Sequence, residues 1–120
     1  MPSYTILSPE MRACIEACRD CASACTIAAT RCAESGATEC WRILSDCAAL
    51  CDTAAECAAR CSECCASVCA CCATVAKQCA LACKRATDKG AEKLMQDCIA
   101  ACERCAACCT AVCAGTTVKA

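Results

Sequence analysis

Uncharged, mostly small side chains recur at alternating intervals of three and four residues in four segments of the chain. This spacing places them along one face of an α-helix, which each segment can bury against its neighbours. The 27 positions of the pattern hold no charged residue. They are Met11, Cys14, Cys18, Cys21, Cys25, Ala28, Cys32, Cys40, Leu44, Cys47, Cys51, Ala54, Ala58, Cys61, Cys65, Cys69, Cys72, Ala76, Cys79, Cys83, Ala86, Met95, Cys98, Cys102, Cys105, Cys109 and Val112. Because short connections make neighbouring helices antiparallel, the pattern predicts an all-α, antiparallel up-down-up-down four-helix bundle with a cysteine-lined core.

A few residues mark where the predicted helices begin and end. Ser8 followed by Pro9 is typical of a helix start, because serine caps the first turn and proline fits the first helical position. Gly36 is typical of a helix end, and Gly90 and Gly115 predict two further ends.

No proline or glycine interrupts the long segment between Gly36 and Gly90. We expect two helices of similar length there, with a turn near 60–63 and Ser62 as a helix N-cap. The predicted bundle is a single domain that covers residues 9–114, between an N-terminal tail at 1–8 and a C-terminal tail at 115–120. The predicted helices cover about 9–35, 38–60, 62–88 and 91–114.

The composition shows why cysteine must contribute to the core. The 120 residues include 23 cysteines and 29 alanines, whereas leucine, isoleucine, valine and phenylalanine together number only 14. A chain of this length has difficulty folding around so few aliphatic side chains. Of the 23 cysteines, 18 lie on the helical pattern. The cysteines therefore either form the core themselves or are joined by crosslinks or metal ions.

Charge and the missing residue types exclude several functions. The net charge of −1 and the two aromatic residues provide neither a basic stripe nor a stacking surface, so we expect no nucleic-acid partner. Histidine is absent, which excludes Cys-His nucleophilic catalysis, Cys₂His₂ zinc fingers and haem attachment through Cys-x-x-Cys-His. We expect the protein not to be an enzyme.

The sequence predicts a cytoplasmic protein that does not cross a membrane. Its first residues contain neither a basic region nor an apolar region of the kind found in signal peptides. No run of about 18 uncharged apolar residues predicts a membrane span. Thiols stay reduced in the cytosol, where dense cysteine is more typical of metal binding than of disulfides.

Four explanations of the cysteine pattern compete. Free cysteine can act as a small apolar side chain, but leucine would pack better at so many positions. Disulfides are the second explanation. Ten pairs of cysteines have the spacing Cys-x-x-x-Cys. On a helix the Cβ atoms of such a pair lie about 5–6 Å apart, whereas a disulfide needs about 3.5–4.5 Å. Iron–sulfur ligation would leave most cysteines unused. A redox or structural thiol protein stays an alternative, and metal binding is favoured.

The charge of the core favours Cu(I) over Zn(II). Ligating thiolates are negative, no lysine or arginine lies on the pattern, and uncompensated buried charge is prohibitive. A Cys₄ zinc site keeps a charge of −2. Thiolate is a soft ligand that selects Cu(I). When each thiolate bridges two Cu(I) ions, the number of ions approaches the number of sulfurs. The positive and negative charges then cancel, and the core is neutral. The sequence thus predicts storage of multiple Cu(I) ions; the alternative is a metallothionein-like Zn(II) or Cd(II) buffer.

The cysteine runs resemble those of the copper storage protein family, which are cysteine-lined four-helix bundles of bacteria. The resemblance covers residues 9–113 and is carried by Cys14-Ile-Glu-Ala-Cys18-Arg-Asp-Cys21, by the run from Cys40 to Cys47-Ala-Ala-Leu-Cys51, and by Cys98-Ile-Ala-Ala-Cys102-Glu-Arg-Cys105. It implies a homotetramer of bundles, each loading many Cu(I) ions, of the family's cytosolic type. No copper chaperone can be named from the sequence.

The resemblance also implies that copper enters at the end with the first and third connections, often through histidine or methionine ligands. This chain has Cys32, Cys40 and Met95 there and no histidine, so Met95 is either a relay ligand or a packing residue.

Five cysteines lie off the helical pattern. Three of them flank the core edge and can join metal sites there: Cys57, Cys108 and Cys113. Cys64 and Cys71 lie seven residues apart on an outer stripe, where a helix or subunit contact competes with metal binding. The predicted metal ligands are Cys14, Cys18, Cys21, Cys25, Cys32, Cys40, Cys47, Cys51, Cys57, Cys61, Cys65, Cys69, Cys72, Cys79, Cys83, Met95, Cys98, Cys102, Cys105, Cys108, Cys109 and Cys113.

Overall fold

The chain folds into four helices that pack side by side in an antiparallel bundle. The computed structural model describes residues 7–36, 38–86 and 93–118. Its helices are α1 (Pro9–Ser35), α2 (Thr38–Ala59), α3 (Cys65–Ala86) and α4 (Lys93–Val118). Helix α1 packs against α2 and α4, and α3 packs against the same two helices. This arrangement confirms the predicted four-helix bundle, and the described residues include no strand.

Helix α1 begins and ends at the residues that the sequence marks. The Ser8 hydroxyl accepts a hydrogen bond from the Met11 N–H at 3.1 Å, which satisfies a free donor of the first turn. At the other end Gly36 has φ +81°, and its N–H donates to the Ala33 carbonyl. This left-handed conformation is the usual reason for glycine after a helix.

The turn between α2 and α3 lies at the predicted place but is longer than predicted. After α2 ends, the Cys61 N–H donates to the Ala58 carbonyl and the Ser62 N–H donates to the Cys57 carbonyl. Cys61 itself has φ +51°. These are the features of a Schellman motif, which terminates a helix on a left-handed residue. The Ser62 hydroxyl then accepts from the Cys64 N–H at 3.1 Å. Helix α3 begins at Cys65 rather than at 62, so the prediction of Ser62 as its N-cap is wrong.

The Schellman motif makes one core prediction wrong. Cys61 was expected on the inner face of α2, but it lies beyond the end of that helix and its side chain is exposed. Cys57, expected at the edge of the core, is buried and only 4% exposed. Ala86 is also exposed, at the last position of α3, and Met11 is half-buried.

Two other helix ends differ from expectation or cannot be compared. Helix α4 continues through Gly115 to Val118 instead of stopping at 114, so this glycine does not end the helix. The predicted end of the third helix at 88, the helix-ending Gly90 and the predicted start at 91 lie outside the described residues.

The core consists almost entirely of cysteine and alanine. Eighteen cysteines are buried, together with alanines and the larger Leu44, Met95 and Val112. Among the described residues no polar or charged side chain is buried. Three ion pairs lie on the surface: Lys84–Glu103 joins α3 to α4, Asp20–Arg104 joins α1 to α4, and Lys93–Asp97 lies within α4. Exposed pairs of this kind contribute little stability.

Of the described helices, only α3 is long and apolar enough to pass as a membrane span by length and composition. Alanine and cysteine, which dominate α3, both count as apolar. Its inner face, including Cys69, Cys72 and Cys79, is buried against the other helices. Core helices of soluble proteins pass the same test, so the finding is weak support for a span.

Candidate metal centre

The buried thiols form a connected array along the axis of the bundle. Thirteen Sγ–Sγ contacts of 3.6–3.9 Å link eleven cysteines, all with no exposed surface. All four helices contribute. The linked cysteines are Cys14, Cys18, Cys21, Cys25, Cys47, Cys51, Cys72, Cys98, Cys102, Cys105 and Cys109.

The register of the helices brings these thiols together. On α1 and α2, cysteines four residues apart point the same way, and the pairs 14/18, 21/25 and 47/51 have their sulfurs 3.8–3.9 Å apart. The antiparallel neighbour then adds a second row. Cys18 of α1, for example, lies 3.7 Å from Cys105 and 3.6 Å from Cys109 of α4.

Four groups of sulfur atoms, formed by members of the array and by the neighbouring Cys69, are close enough to share one metal ion. In each group all sulfurs lie within 4.8 Å of one another. Three cysteines belong to two groups each, which is the arrangement that bridging thiolates require. The groups are Cys18/Cys72/Cys105/Cys109, Cys21/Cys25/Cys47/Cys102, Cys14/Cys69/Cys109 and Cys21/Cys51/Cys105.

Additional thiol pairs extend towards both ends of the bundle. Cys40 and Cys83 lie 3.8 Å apart at the end with the first and third connections. Cys65 and Cys69 lie 3.8 Å apart at the opposite end, and Cys69 belongs to a three-sulfur group of the central array. Thiols therefore occur at closely spaced positions over most of the length of the bundle.

None of the 23 cysteines, all of which lie in the described part of the chain, forms a disulfide. The close sulfur pairs lie 3.6 Å apart or more, whereas a disulfide bond is about 2.05 Å long. The spacing is therefore that of packed thiols, and it agrees with the expectation that residues four apart on a helix do not crosslink.

Burial opposes ionisation of the core thiols in the absence of metal, whereas contacts with neighbouring thiols lower the pKa of some of them, such as Cys105. Burial, followed by the nearby Cys40 thiol, raises the pKa of Cys32 to about 11. The pKa of Cys25 is raised by its contacts with the Cys102 and Cys21 thiols and by burial. No buried lysine or arginine among the described residues offsets this effect. Metal binding must therefore release the thiol protons and supply the positive charge itself.

The structure brings together most of the predicted ligands. Cys79 and Met95 are also buried in the core. Cys108 is half-buried; Cys113, also half-buried, donates through its thiol to the Ala66 carbonyl at 3.2 Å. Cys61 is the exception because it is exposed.

Two further exposed cysteines were not among the predicted ligands. Cys71 lies on the outer face of α3, and Cys64 lies beside Cys61 in the turn before α3. The sequence signal that would have singled out Cys64 is the spacing Cys61-Ser62-Glu63-Cys64.

Sequence comparison identifies the family. The model of the copper storage protein family, Csp, matches residues 8–114. The chain belongs to the copper storage protein family. The family points to a storage protein rather than an enzyme. No curated protein sequence matches the chain at a significant level.

Solved structures of similar proteins agree with this assignment. Apo-Csp3, copper storage protein 3 from Bacillus subtilis, is 33% identical with a TM-score of 0.77, and the alignment covers 85% of this chain and 97% of that one. The Cu(I)-bound copper storage protein BsCsp3 is 32% identical with the same TM-score, covering 85% and 96%. A protein from Nitrosospira multiformis is 29% identical with a TM-score of 0.77, covering 88% and 95%.

Proposed function

We propose that this copper storage family member binds many Cu(I) ions through the thiolates inside its bundle. The observation that carries the proposal is the connected array of eleven fully buried thiols, without any buried cation among the described residues. A soft monovalent ion matches this ligand set because thiolates prefer soft metals. The Cu(I)-bound structure of the similar BsCsp3 supports the same metal.

Sulfur spacing alone does not separate Cu(I) from Zn(II). With metal–sulfur bonds of about 2.3 Å, three thiolates around one ion lie about 4.0 Å apart and four lie about 3.8 Å apart. The observed contacts of 3.6–3.9 Å fit both geometries.

Net charge separates the two metals. A Zn(II) ion with four thiolates keeps a charge of −2, and the core offers no cation to balance it. Cu(I) ions joined by bridging thiolates approach one ion per sulfur, so a filled core is neutral. Avoiding buried net charge therefore favours Cu(I).

An anaerobic titration against a competing Cu(I) chelator tests the proposal. Because 18 cysteines are buried, we expect saturation at roughly 18 Cu(I) ions per chain, about one per core thiol. Saturation at only four or five ions would contradict storage and favour separate tetrathiolate sites.

A Zn(II) or Cd(II) buffer is the second candidate, and the two four-sulfur groups are the observation in its favour. If zinc is the natural metal, the protein purified from zinc-supplemented cells should carry about two ions, one for each closed four-ligand site. Elemental analysis after expression with copper, and separately with zinc, distinguishes the candidates. Copper loading far above zinc loading supports storage of Cu(I).

We further propose, from the family resemblance, that the protein is cytoplasmic and forms a homotetramer of bundles. Three exposed apolar side chains, Ile27, Trp41 and Leu81, provide surface that subunit contacts could cover. Light scattering after size-exclusion chromatography tests the assembly: a mass of four chains is expected, and a single-chain mass at micromolar concentration would contradict it.

A further inference from the structure

The turn between α2 and α3 exposes two cysteines. Cys61 and Cys64 are both exposed there, and Cys71, on the outer face of α3, is the only other exposed cysteine of the 23. At the opposite end of the bundle, where the family resemblance implies copper entry, the sulfur-bearing side chains Cys32, Cys40 and Met95 are at most 8% exposed. Among the described residues, thiols at an end of the bundle are therefore freely accessible only at this turn.

Local backbone geometry fixes the positions of these two thiols. The Schellman motif holds Cys61 at φ +51° outside α2. Cys64 is the N-cap of α3: its carbonyl accepts from the Val68 N–H at 2.9 Å and its own N–H donates to the Ser62 hydroxyl. The two thiols also have the Cys-x-x-Cys spacing of many metal-binding pairs.

A positive side chain lies beside this turn. A guanidinium nitrogen of Arg60 lies 4.0 Å from the sulfur of Cys57, which is buried just inside the turn. Arg60 directly precedes Cys61 in the chain. A guanidinium at this distance can donate a charge-assisted hydrogen bond to a thiolate. The turn also carries the acidic Glu63, between Cys61 and Cys64 in the chain, so its charged side chains have both signs.

Closely spaced thiols lead inward from the turn. Cys65 directly follows Cys64 in the chain and is 6% exposed. The Cys65 sulfur lies 3.8 Å from that of Cys69. Cys69 in turn shares a three-sulfur group with two members of the central array. The steps from Cys65 to Cys69 and from Cys69 to the central array are short enough for an ion to be held by the old and new ligands at once.

We propose that Cys61 and Cys64 form a surface acceptor site for Cu(I) delivered as a thiolate complex, and that Cu(I) passes from them through Cys65 to the core. This proposal rests on the proposed storage function. In each step a cysteine thiol loses its proton and binds the ion as a thiolate, while one donor thiolate leaves the ion and takes up that proton. Copper stays Cu(I), so no oxidant or reductant is needed.

The rate of copper uptake tests the acceptor site. The double variant Cys61→Ser/Cys64→Ser is mixed anaerobically with Cu(I)–glutathione, and the ultraviolet absorption of copper–thiolate bonds is followed by stopped flow. Without the accessible thiolates we expect the initial rate to fall about tenfold, because the thiolate is the attacking ligand. The final copper capacity should fall by no more than about two ions, one for each thiol removed.

Cys71→Ser is the matched control, because it removes an exposed thiol of α3 that is outside the turn. It should load at the parental rate. Serine is a good N-cap, so the double variant should keep its helices, which circular dichroism checks. A double variant that loads as fast as the parent overturns the acceptor site alone. A parent that saturates at a few ions overturns the storage function itself, and the acceptor site with it.

Discussion

At the scale of single residues, position in the sulfur array should decide how much a cysteine contributes to copper capacity. Cys105 lies 3.7 Å from Cys18, 3.7 Å from Cys51 and 3.8 Å from Cys72. It also belongs to two of the sulfur groups. Cys71, by contrast, is exposed on the outer face of α3. Both residues carry a thiol, but Cys105 is buried among other thiols and Cys71 is exposed.

We therefore predict that Cys105→Ala lowers the Cu(I) capacity by about one to two ions, since a bridging thiolate serves more than one ion. Removing one buried sulfur should lower the free energy of unfolding of the metal-free protein by only about 1 kcal/mol. The chelator titration gives the capacity, and urea unfolding gives the stability. Cys71→Ala should bind as many ions as the parent. Equal losses of copper capacity in Cys105→Ala and Cys71→Ala would contradict a site built around the central array.

At the scale of helices, the sequence predicted most of the fold because the three-four spacing is unusually regular. The start of α1 and its end at Gly36 follow from capping residues that are visible in the sequence. The end of α2 was not visible, because cysteine stands where glycine is usual in a Schellman motif. This single turn moved Cys61 to the surface and made Cys57 part of the core.

The left-handed conformation of Cys61 has a cost that glycine would remove. We predict that Cys61→Gly raises the free energy of unfolding of the metal-free protein by roughly 0.5 kcal/mol, because glycine adopts positive φ without steric penalty. Cys71→Gly places the same residue inside α3 and should lower it by about 1 kcal/mol. Urea unfolding under reducing conditions measures both. Destabilisation by Cys61→Gly would show that the Cys61 side chain contributes more than the backbone strain costs.

At the scale of the whole molecule, the same atoms serve as core and as ligands. Periodicity predicted which thiols face inward, and the buried set agrees with it except at Cys61 and Cys57. The grouping of sulfurs from different helices could not be predicted, because it depends on how the helices are offset along the axis. Cys109 illustrates this: it contacts Cys14 and Cys18 of α1 at 3.8 and 3.6 Å, and no local spacing specifies that pairing.

Because neutral cysteine and alanine already fill the interior, copper should not be needed for folding. We predict that the fully reduced, metal-free protein keeps the helical content of the loaded form, and that copper mainly raises its unfolding temperature. The gain arises because ligand bound only to the native state stabilises it, by about 4 kcal/mol at a thousandfold excess over the dissociation constant.

Circular dichroism of the metal-free and loaded forms, each followed through thermal unfolding under anaerobic conditions, measures both quantities. A metallothionein-like protein would behave differently, since its ligands are organised by the metal and its structure is lost on chelation. Loss of helix on copper removal would therefore contradict a preformed bundle. Retained helix with a lower unfolding temperature is expected of a bundle that is folded before it binds metal.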